Sequence, residues 1–123
     1  MEFEKSKIIE LKEKFDSIVN TEEKEKIEFW YARDLQTQLG YKRWENFIET
    51  IKKAMKSCEN TGIEIDNHFR EIKKMVKIGS GAKRELQDYM LTRYACYLIA
   101  QNGDSKKEEI AFAQTYFAVQ TRK

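Results

Sequence analysis

The side chains best suited to catalysis are few in this sequence, and they do not form a catalytic set. His68 is the only histidine, and the nearest acidic residue along the chain is Asp66. Cys58 and Cys96 lack the paired spacing of a zinc site or of a disulfide framework. We therefore expect both cysteines to be buried small apolar residues, and we predict a protein that is not an enzyme and has neither a metal ion nor another cofactor.

A glycine-rich segment is similar to phosphate-binding loops only superficially. Residues 79–84 read Gly-Ser-Gly-Ala-Lys-Arg, without the G-x-x-x-x-G-K-[ST] spacing or a hydrophobic strand that leads into a helix. The plainer interpretation is a turn in which glycines supply positive φ. The tip nevertheless has only one close acidic residue, Glu85, among the cations Lys73, Lys74, Lys77, Lys83 and Arg84. A contact with a phosphate backbone and a solvated basic turn are equally consistent with this feature.

A second basic feature has the layout of a helix-turn-helix. A short helix is predicted over 32–39, Gly40 follows in a turn, and an amphipathic helix begins at Trp44. Many folds contain two packed helices around a glycine turn, so DNA binding is one interpretation among several. The turn and the exposed face of the second helix carry positive charge at Lys42, Arg43, Lys52, Lys53 and Lys56. Combined with a basic hairpin, this arrangement resembles a winged helix.

Mostly helices are predicted to position these residues, because the 123-residue chain contains no proline and repeatedly shows helical spacing of apolar residues. The most regular helix begins at Trp44 and ends near 60–62, with an apolar stripe at Trp44, Phe47, Ile48, Ile51, Ala54, Met55 and Cys58. An amphipathic helix is predicted over 3–19, followed by an exposed charged connection over 22–26 and a short strand over 27–31.

The second half of the chain is predicted to contain a hairpin and two further helices. The hairpin arms are 72–78 and 85–91, while residues 63–69 are left irregular. Thr92 is a candidate cap for a helix that ends at 102–103. Residues 105–108 read Ser-Lys-Lys-Glu, a capping box that predicts the start of the last helix.

Composition narrows the function classes further. Hydrophobic residues make up 41% of the chain and charged residues 36%, which is typical of a single folded domain. No apolar run approaches the roughly 18 residues of a membrane span, and the charged start is unlike a signal peptide, so a cytoplasmic protein without membrane contact is expected. The net charge of +2 combines an acidic first 28 residues with a more basic remainder, which is compatible with an anionic partner.

Several motifs together resemble the bacterial DNA-damage-inducible protein D family, from about residue 27 to the end. The motifs are Trp30-Tyr31-Ala32-Arg33-Asp34-Leu35, residues 53–62, residues 66–69, Lys74-Met75-Val76, residues 79–85, residues 91–104 and residues 113–122. That family is similar to the BRO N-terminal domain of viral and phage antirepressor-type proteins. The resemblance implies an α+β DNA-binding module, induction in the SOS response and a role in regulating recombinase activity on damaged DNA.

The resemblance also implies a domain organisation. We expect an N-terminal helix and charged connection over 1–26 and a BRO N-terminal-like domain over 27–123. Family members are commonly longer, and the family offers no catalytic residues to carry over.

The leading hypothesis is a non-enzymatic regulator that binds single- or double-stranded DNA. Its predicted contacts are Lys42, Arg43, Lys52, Lys53, Lys74, Lys77, Lys83 and Arg84. The rival is a protein-interaction module that acts on a RecA-type recombinase filament or a repressor and has little DNA contact. The small net charge favours this rival. A nuclease would require clustered carboxylates and a metal ion, for which the sequence has no convincing set. An oligomer is compatible with either hypothesis.

Overall fold

The computed structural model describes residues 5–121, which form helices around a four-stranded antiparallel sheet. The helices are α1 (Lys5–Ser17), α2 (Ala32–Gln38), α3 (Trp44–Asn60), α4 (Arg93–Gln101) and α5 (Glu108–Thr121). The strands are β1 (Val19–Thr21), β2 (Glu28–Tyr31), β3 (Phe69–Ile78) and β4 (Ala82–Leu91). The predicted α+β, mostly helical class is confirmed. None of the helices in the described part of the chain has the length and apolar character needed to cross a membrane.

The sheet has the strand order β1-β2-β4-β3, so β3 is an edge strand. β2 pairs with β4 only at Trp30 with Leu91 and at Tyr31 with Met90. β3 and β4 pair along ten residues each, from Phe69 opposite Leu91 to Ile78 opposite Ala82. The hairpin therefore has a base inside the sheet and a long two-stranded arm that extends beyond β2.

The turn at the end of this arm has two consecutive residues with positive φ. They are Ser80 at 61° and Gly81 at 77°, and the amide of Ala82 donates to the carbonyl of Gly79 at 3.3 Å. Positive φ at two central positions matches the twist of a hairpin. The predicted glycine turn is confirmed at Gly81, whereas the second left-handed residue is Ser80 and not Gly79.

The core lies between the helices and one side of the sheet. The stripe predicted on α3 contributes Phe47, Ile51, Ala54 and Cys58, all fully buried, while Trp44, Ile48 and Met55 pack at its margin. Trp30 of β2 and Phe117 of α5 meet edge to face in the same core, 5.3 Å between ring centroids. The i, i+3, i+4, i+7 spacing therefore predicted the buried face of α3.

α1 belongs to this core as well. Its Leu11 and Phe15 are buried, and Phe15 stacks on Phe112 and Tyr116 of α5 with ring centroids 5.7 Å and 5.3 Å apart. The Tyr116 hydroxyl also donates to the carboxylate of Asp16. The domain boundary at residue 26 stays a prediction, although the first helix shares a core with the remainder of the chain.

Local hydrogen bonds decide where two of the predicted helices begin. The Thr92 cap is confirmed, because its hydroxyl oxygen accepts from the amide of Ala95 at 3.2 Å. The capping box at Ser105 is wrong, since α5 begins at Glu108. Asp104 instead accepts from the amide of Lys106 at 3.0 Å, and this local turn holds residues 105–107 outside the helix.

The short strand β1 was not predicted. The helix predicted over 3–19 ends at Ser17 instead, its predicted start at residue 3 lies outside the described residues, and Val19 to Thr21 pair with β2 from Val19 opposite Trp30 to Thr21 opposite Glu28. Between α3 and the hairpin, the segment left irregular contains a 3-10 turn at Ile65–Asn67. Both hairpin arms begin three residues earlier than predicted, because strand pairing continues wherever a partner strand is present.

Candidate nucleic-acid interface

Residues that pair across the hairpin arm share one side of it, because side chains alternate along a strand. One side, called here the lysine face, consists of Lys73, Met75, Lys77, Lys83, Glu85 and Gln87. The other side, called the Arg84 face, consists of Lys74, Val76, Ile78, Ala82, Arg84 and Leu86. At the hairpin base, the lysine face continues into the buried pair Phe69 and Leu91, so it is the side of the sheet on which the core packs.

Lys77 and Lys83 lie directly opposite each other near the tip of the lysine face. Both side chains are exposed, and neither has an ion-pair or hydrogen-bond partner among the side chains that the structure describes. Two like charges in direct cross-strand register destabilise a sheet slightly. An anion between them removes that repulsion. Lys73, further along the same face, is different because Glu85 lies 3.6 Å from its ammonium.

Lys74 lies on the opposite side and is engaged inside the molecule. Its ammonium lies 2.9 Å from a carboxylate oxygen of the buried Asp88 and 3.5 Å from the ring centroid of Tyr31. Asp88 also accepts from the backbone amides of Arg33 at 3.0 Å and Tyr89 at 2.8 Å. The cation therefore compensates a buried carboxylate that joins the start of α2 to the hairpin.

Arg84 also lies away from the lysine face. It is exposed, and it faces Val76 across the hairpin. The three cations predicted to act together at the tip, Lys77, Lys83 and Arg84, therefore divide into two on one side and one on the other.

The start of α3 is attached to the lysine face. The indole Nε1 of Trp44 donates to the side-chain oxygen of Gln87 at 3.3 Å. Arg33 of α2 donates to the Gln87 carbonyl at 2.9 Å, and its guanidinium lies 4.0 Å from the centroid of the Trp44 ring. These contacts place Lys42 and Arg43, which precede Trp44, beside the hairpin. Gln87 and Lys83 are four residues apart along β4, or about 13 Å.

Lys42 and Arg43 are both exposed in the connection between α2 and α3. Gly40 has a φ of 80°, as expected for a residue that ends a helix, and α3 begins directly after Arg43. Arg43 lies 3.6 Å from the carboxylate of Glu45, and both side chains are largely exposed. The two predicted helices and their glycine turn are therefore present, and the structure brings the turn and the lysine face to the same side of the sheet.

Lys52 and Lys53 occupy a different position. They are exposed on α3, eight and nine residues after Trp44, which is roughly 12 to 14 Å further along the helix axis. Of the predicted contacts, Lys42 and Arg43 lie beside the base of the lysine face and Lys77 and Lys83 lie near its tip. Lys52 and Lys53 lie along α3, and Lys74 and Arg84 lie on the other face of the arm.

The residues first considered for catalysis are hydrogen-bonded or buried within the fold. His68 Nδ1 lies 2.7 Å from the Thr92 hydroxyl, and partial burial lowers the pKa of His68. Cys58 and Cys96 are free and buried, as predicted, and burial raises the pKa of both thiols. Across residues 5–121, no three His, Cys, Asp or Glu side chains are arranged to hold a metal ion.

The sequence did not indicate the residues that position the interface. Asp88 and Gln87 occur in a hairpin arm without any motif of their own, and only Arg33 lies in a recognisable motif, Trp30 to Leu35. The sequence signal that could have marked this network is an acidic residue, Asp88, directly before the apolar run of residues 89–91 in a predicted strand.

A groove lies at the hairpin base, at the end opposite the tip. It encloses about 260 Å³, and six of the side chains that line it are Glu25, Ile27, Phe29, Asp66, Arg70 and Met90. Its lining includes three acidic residues, Glu22, Glu25 and Asp66, against one arginine, Arg70, whereas the hairpin tip is cationic.

Comparison with known proteins adds two findings. The family model described as "BRO family, N-terminal domain" matches residues 18–118. The "DNA damage-inducible protein D" of Escherichia coli (strain K12) is 56% identical over 96 residues, which are 78% of this chain and 35% of that protein. The chain thus spans about a third of the length of that relative. No solved structure matches this chain significantly.

Proposed function

The chain belongs to the family of BRO N-terminal domains, and on this premise we propose that it is a DNA-binding module of a bacterial DNA-damage regulator. Its relative in E. coli carries damage induction in its name, and the shared segment covers most of this chain. The proposal includes a non-enzymatic role in the SOS response and a cytoplasmic location.

The exposed pair Lys77 and Lys83 carries the DNA-binding proposal. Two cations in direct register, without an anionic neighbour among the described side chains, are arranged to share a phosphate. Lys42 and Arg43 add positive charge on the same side, next to the first backbone amides of α3. The N-terminal end of a helix favours an anion through its dipole.

The proposed binding mode follows from this placement. The hairpin tip would lie along the phosphate backbone, while the start of α3 would approach the neighbouring groove, as in a winged helix. Lys52 and Lys53 would extend the contact along the exposed side of α3. Contacts to phosphates fix orientation without reading sequence, so the cations named here account for affinity and not for the choice of a site.

The test is the salt dependence of binding to single- and double-stranded oligonucleotides, measured by fluorescence anisotropy. Replacing Lys77 and Lys83 together by Gln should weaken binding similarly for every sequence tested. The slope of log affinity against log salt should fall by about 1.8 for duplex DNA or about 1.4 for single strands, because two phosphate contacts are lost.

The matched control is the double variant Lys24→Gln with Lys26→Gln. These two exposed lysines lie in the connection before β2, at the other end of the sheet from the hairpin tip. The control replacements remove the same net charge as the replacements at Lys77 and Lys83, so a general loss of positive charge would affect both double variants equally. A slope that is unchanged in a folded Lys77/Lys83 variant, or equally reduced in the control, contradicts the proposed surface.

The non-enzymatic part of the proposal has its own test. Purified protein should leave labelled single- and double-stranded DNA intact in the presence of magnesium, manganese or zinc. Cleavage that depends on one of these ions, and that is retained after repeated purification, would show an enzyme instead.

The groove at the hairpin base favours a second candidate, a protein-interaction module acting on a RecA-type filament or a repressor. The groove combines the apolar Phe29 and Met90 with more acidic than basic lining residues, which suits a protein segment and disfavours DNA. If this candidate holds, Phe29→Ser should abolish binding to a recombinase filament or repressor, while the Lys77/Lys83 variant should retain it. If the Phe29→Ser variant retains that binding and the Lys77/Lys83 variant loses binding to DNA, the result favours DNA binding.

A further inference from the structure

The outer edge of β3 is a long segment of strand with no partner among the described residues. β3 has ten residues and pairs with β4 on one side only. Every second residue of an edge strand directs its amide and carbonyl away from the sheet, and such edges readily pair with another chain. Met75 and Ile78 on this strand are 61% and 47% exposed. The edge therefore offers both unpaired backbone groups and apolar side chains.

Charges along an edge strand normally discourage such pairing, and two of the five charged residues of β3 have an oppositely charged partner within the described part of the chain. Lys73 lies 3.6 Å from Glu85, and Lys74 lies 2.9 Å from the buried Asp88. Lys77 has no acidic neighbour among the described side chains. Among the described side chains, Glu71 has one hydrogen-bond partner, the neutral side-chain amide of Gln87 at 2.7 Å. Among the described side chains, Arg70, Glu71 and Lys77 of β3 therefore have no oppositely charged partner, and Glu71 and Lys77 lie six residues apart.

A second copy of this strand brings Glu71 and Lys77 together in one register, in which Arg70 faces Ile78. When two identical strands pair antiparallel around a two-fold axis normal to the sheet, each residue faces the one equally distant from the central residue. With Lys74 at the centre, Glu71 faces Lys77 of the second copy and Ile72 faces Val76. The symmetric contact occurs twice, so each dimer gains two opposite-charge pairs and two apolar pairs.

Each of three neighbouring registers brings two positive charges opposite each other. A centre at Met75 places Lys73 opposite Lys77, and a centre at Lys73 places that lysine opposite itself. A centre at Ile72 places Arg70 opposite Lys74. In the Lys74 register the two central lysines also meet, but each lies 2.9 Å from the buried Asp88, whereas the counter-ion of Lys73 is the exposed Glu85 at 3.6 Å.

We propose that two copies of this chain associate through antiparallel pairing of β3 centred on Lys74, which forms a continuous eight-stranded sheet. The two-fold axis leaves the lysine faces of both copies on the same side of that sheet. This inference concerns self-association alone and does not depend on DNA binding. Since Lys77 takes part in both proposed contacts, self-association is measured without DNA.

The experiment is analytical ultracentrifugation of the chain over a range of protein concentrations, with charge-reversal variants. The expected result is a concentration-dependent dimer. Glu71→Lys and Lys77→Glu should each raise the dissociation constant by about tenfold, because two opposite-charge pairs become two like-charge pairs. The variant that combines both reversals should return to within about threefold of the original value.

This rescue distinguishes the proposal from general effects of charge. Glu71 and Lys77 are about 20 Å apart along one strand, so their reversals have no direct interaction within one chain. Lys53→Glu on α3 makes the same charge change away from the edge and should not alter the dimer. A chain that stays monomeric at all concentrations, or a double reversal that is no better than the single ones, overturns the proposal. Thermal unfolding of each variant confirms that it remains folded.

Discussion

The hairpin arm and the α3 core differ in what their residues do. On α3, Phe47, Ile51, Ala54 and Cys58 are fully buried and Thr50 is nearly so, while the remaining positions face solvent or the margin of the core. Along the hairpin arm, exposed charged side chains alternate with partly exposed apolar ones, and the turn at the tip is fully exposed. Stability should therefore reside in the helical core and at the hairpin base, while the arm beyond it remains available for contacts with other molecules.

The largest effect is expected at Phe47, in the core. Phe47→Ala should reduce the free energy of unfolding by about 3 to 5 kcal/mol, because a large buried side chain is removed and leaves a cavity. Denaturant unfolding followed by circular dichroism measures this change. Met75→Ala on the arm should change stability by less than about 0.5 kcal/mol, since the side chain is 61% exposed. Equal losses in both variants would remove the contrast between the two regions.

The next largest effect is expected at Asp88, where the arm joins the core. Asp88→Ala should cost about 2 to 4 kcal/mol, because it leaves the buried amides of Arg33 and Tyr89 and the ammonium of Lys74 without their acceptor. Glu85→Ala removes an exposed ion pair from the same strand and should cost no more than about 0.5 kcal/mol. If the two variants unfold at the same denaturant concentration, Asp88 does not anchor the arm.

A smaller and purely functional effect is expected from single replacements at the tip. Lys83→Gln should lower the salt slope of duplex binding by about 0.9, whereas Arg84→Gln should leave it unchanged, because Arg84 lies on the other side of the arm. Neither replacement should alter stability appreciably. Equal reductions for both would show that DNA contacts the two sides of the arm.

The smallest effect is expected at His68, at the hairpin base. Because burial lowers its pKa in the folded protein, the unfolded chain binds a proton more readily. The resulting contribution to stability is therefore present above pH 6.5, the ordinary value of a histidine, and is lost as the pH falls below it towards the lowered pKa. Unfolding measured between pH 7.5 and 5.5 should show this decline, and His68→Gln should flatten it. An identical pH dependence in the variant would exclude His68 as its source.

The sequence determined the elements whose signals are local. Apolar residues at helical spacing predicted the buried side of α3, because the period of a helix alone decides which residues share a face. Thr92 was identified as a cap and Gly40 as a left-handed end, since capping and positive φ depend on a few neighbouring atoms. The clustering of cations around the hairpin tip was equally visible in the sequence.

Tertiary structure decided the rest, because those features depend on partners far away in the chain. Val19 to Thr21 became a strand only because β2 supplied hydrogen-bonding partners. Strand register alone placed Lys77 and Lys83 on one side and Lys74 and Arg84 on the other, since shifting the pairing by one residue changes which side chains meet. Burial of Asp88 then engaged Lys74 inside the molecule, so that lysines with similar local sequence surroundings have different environments.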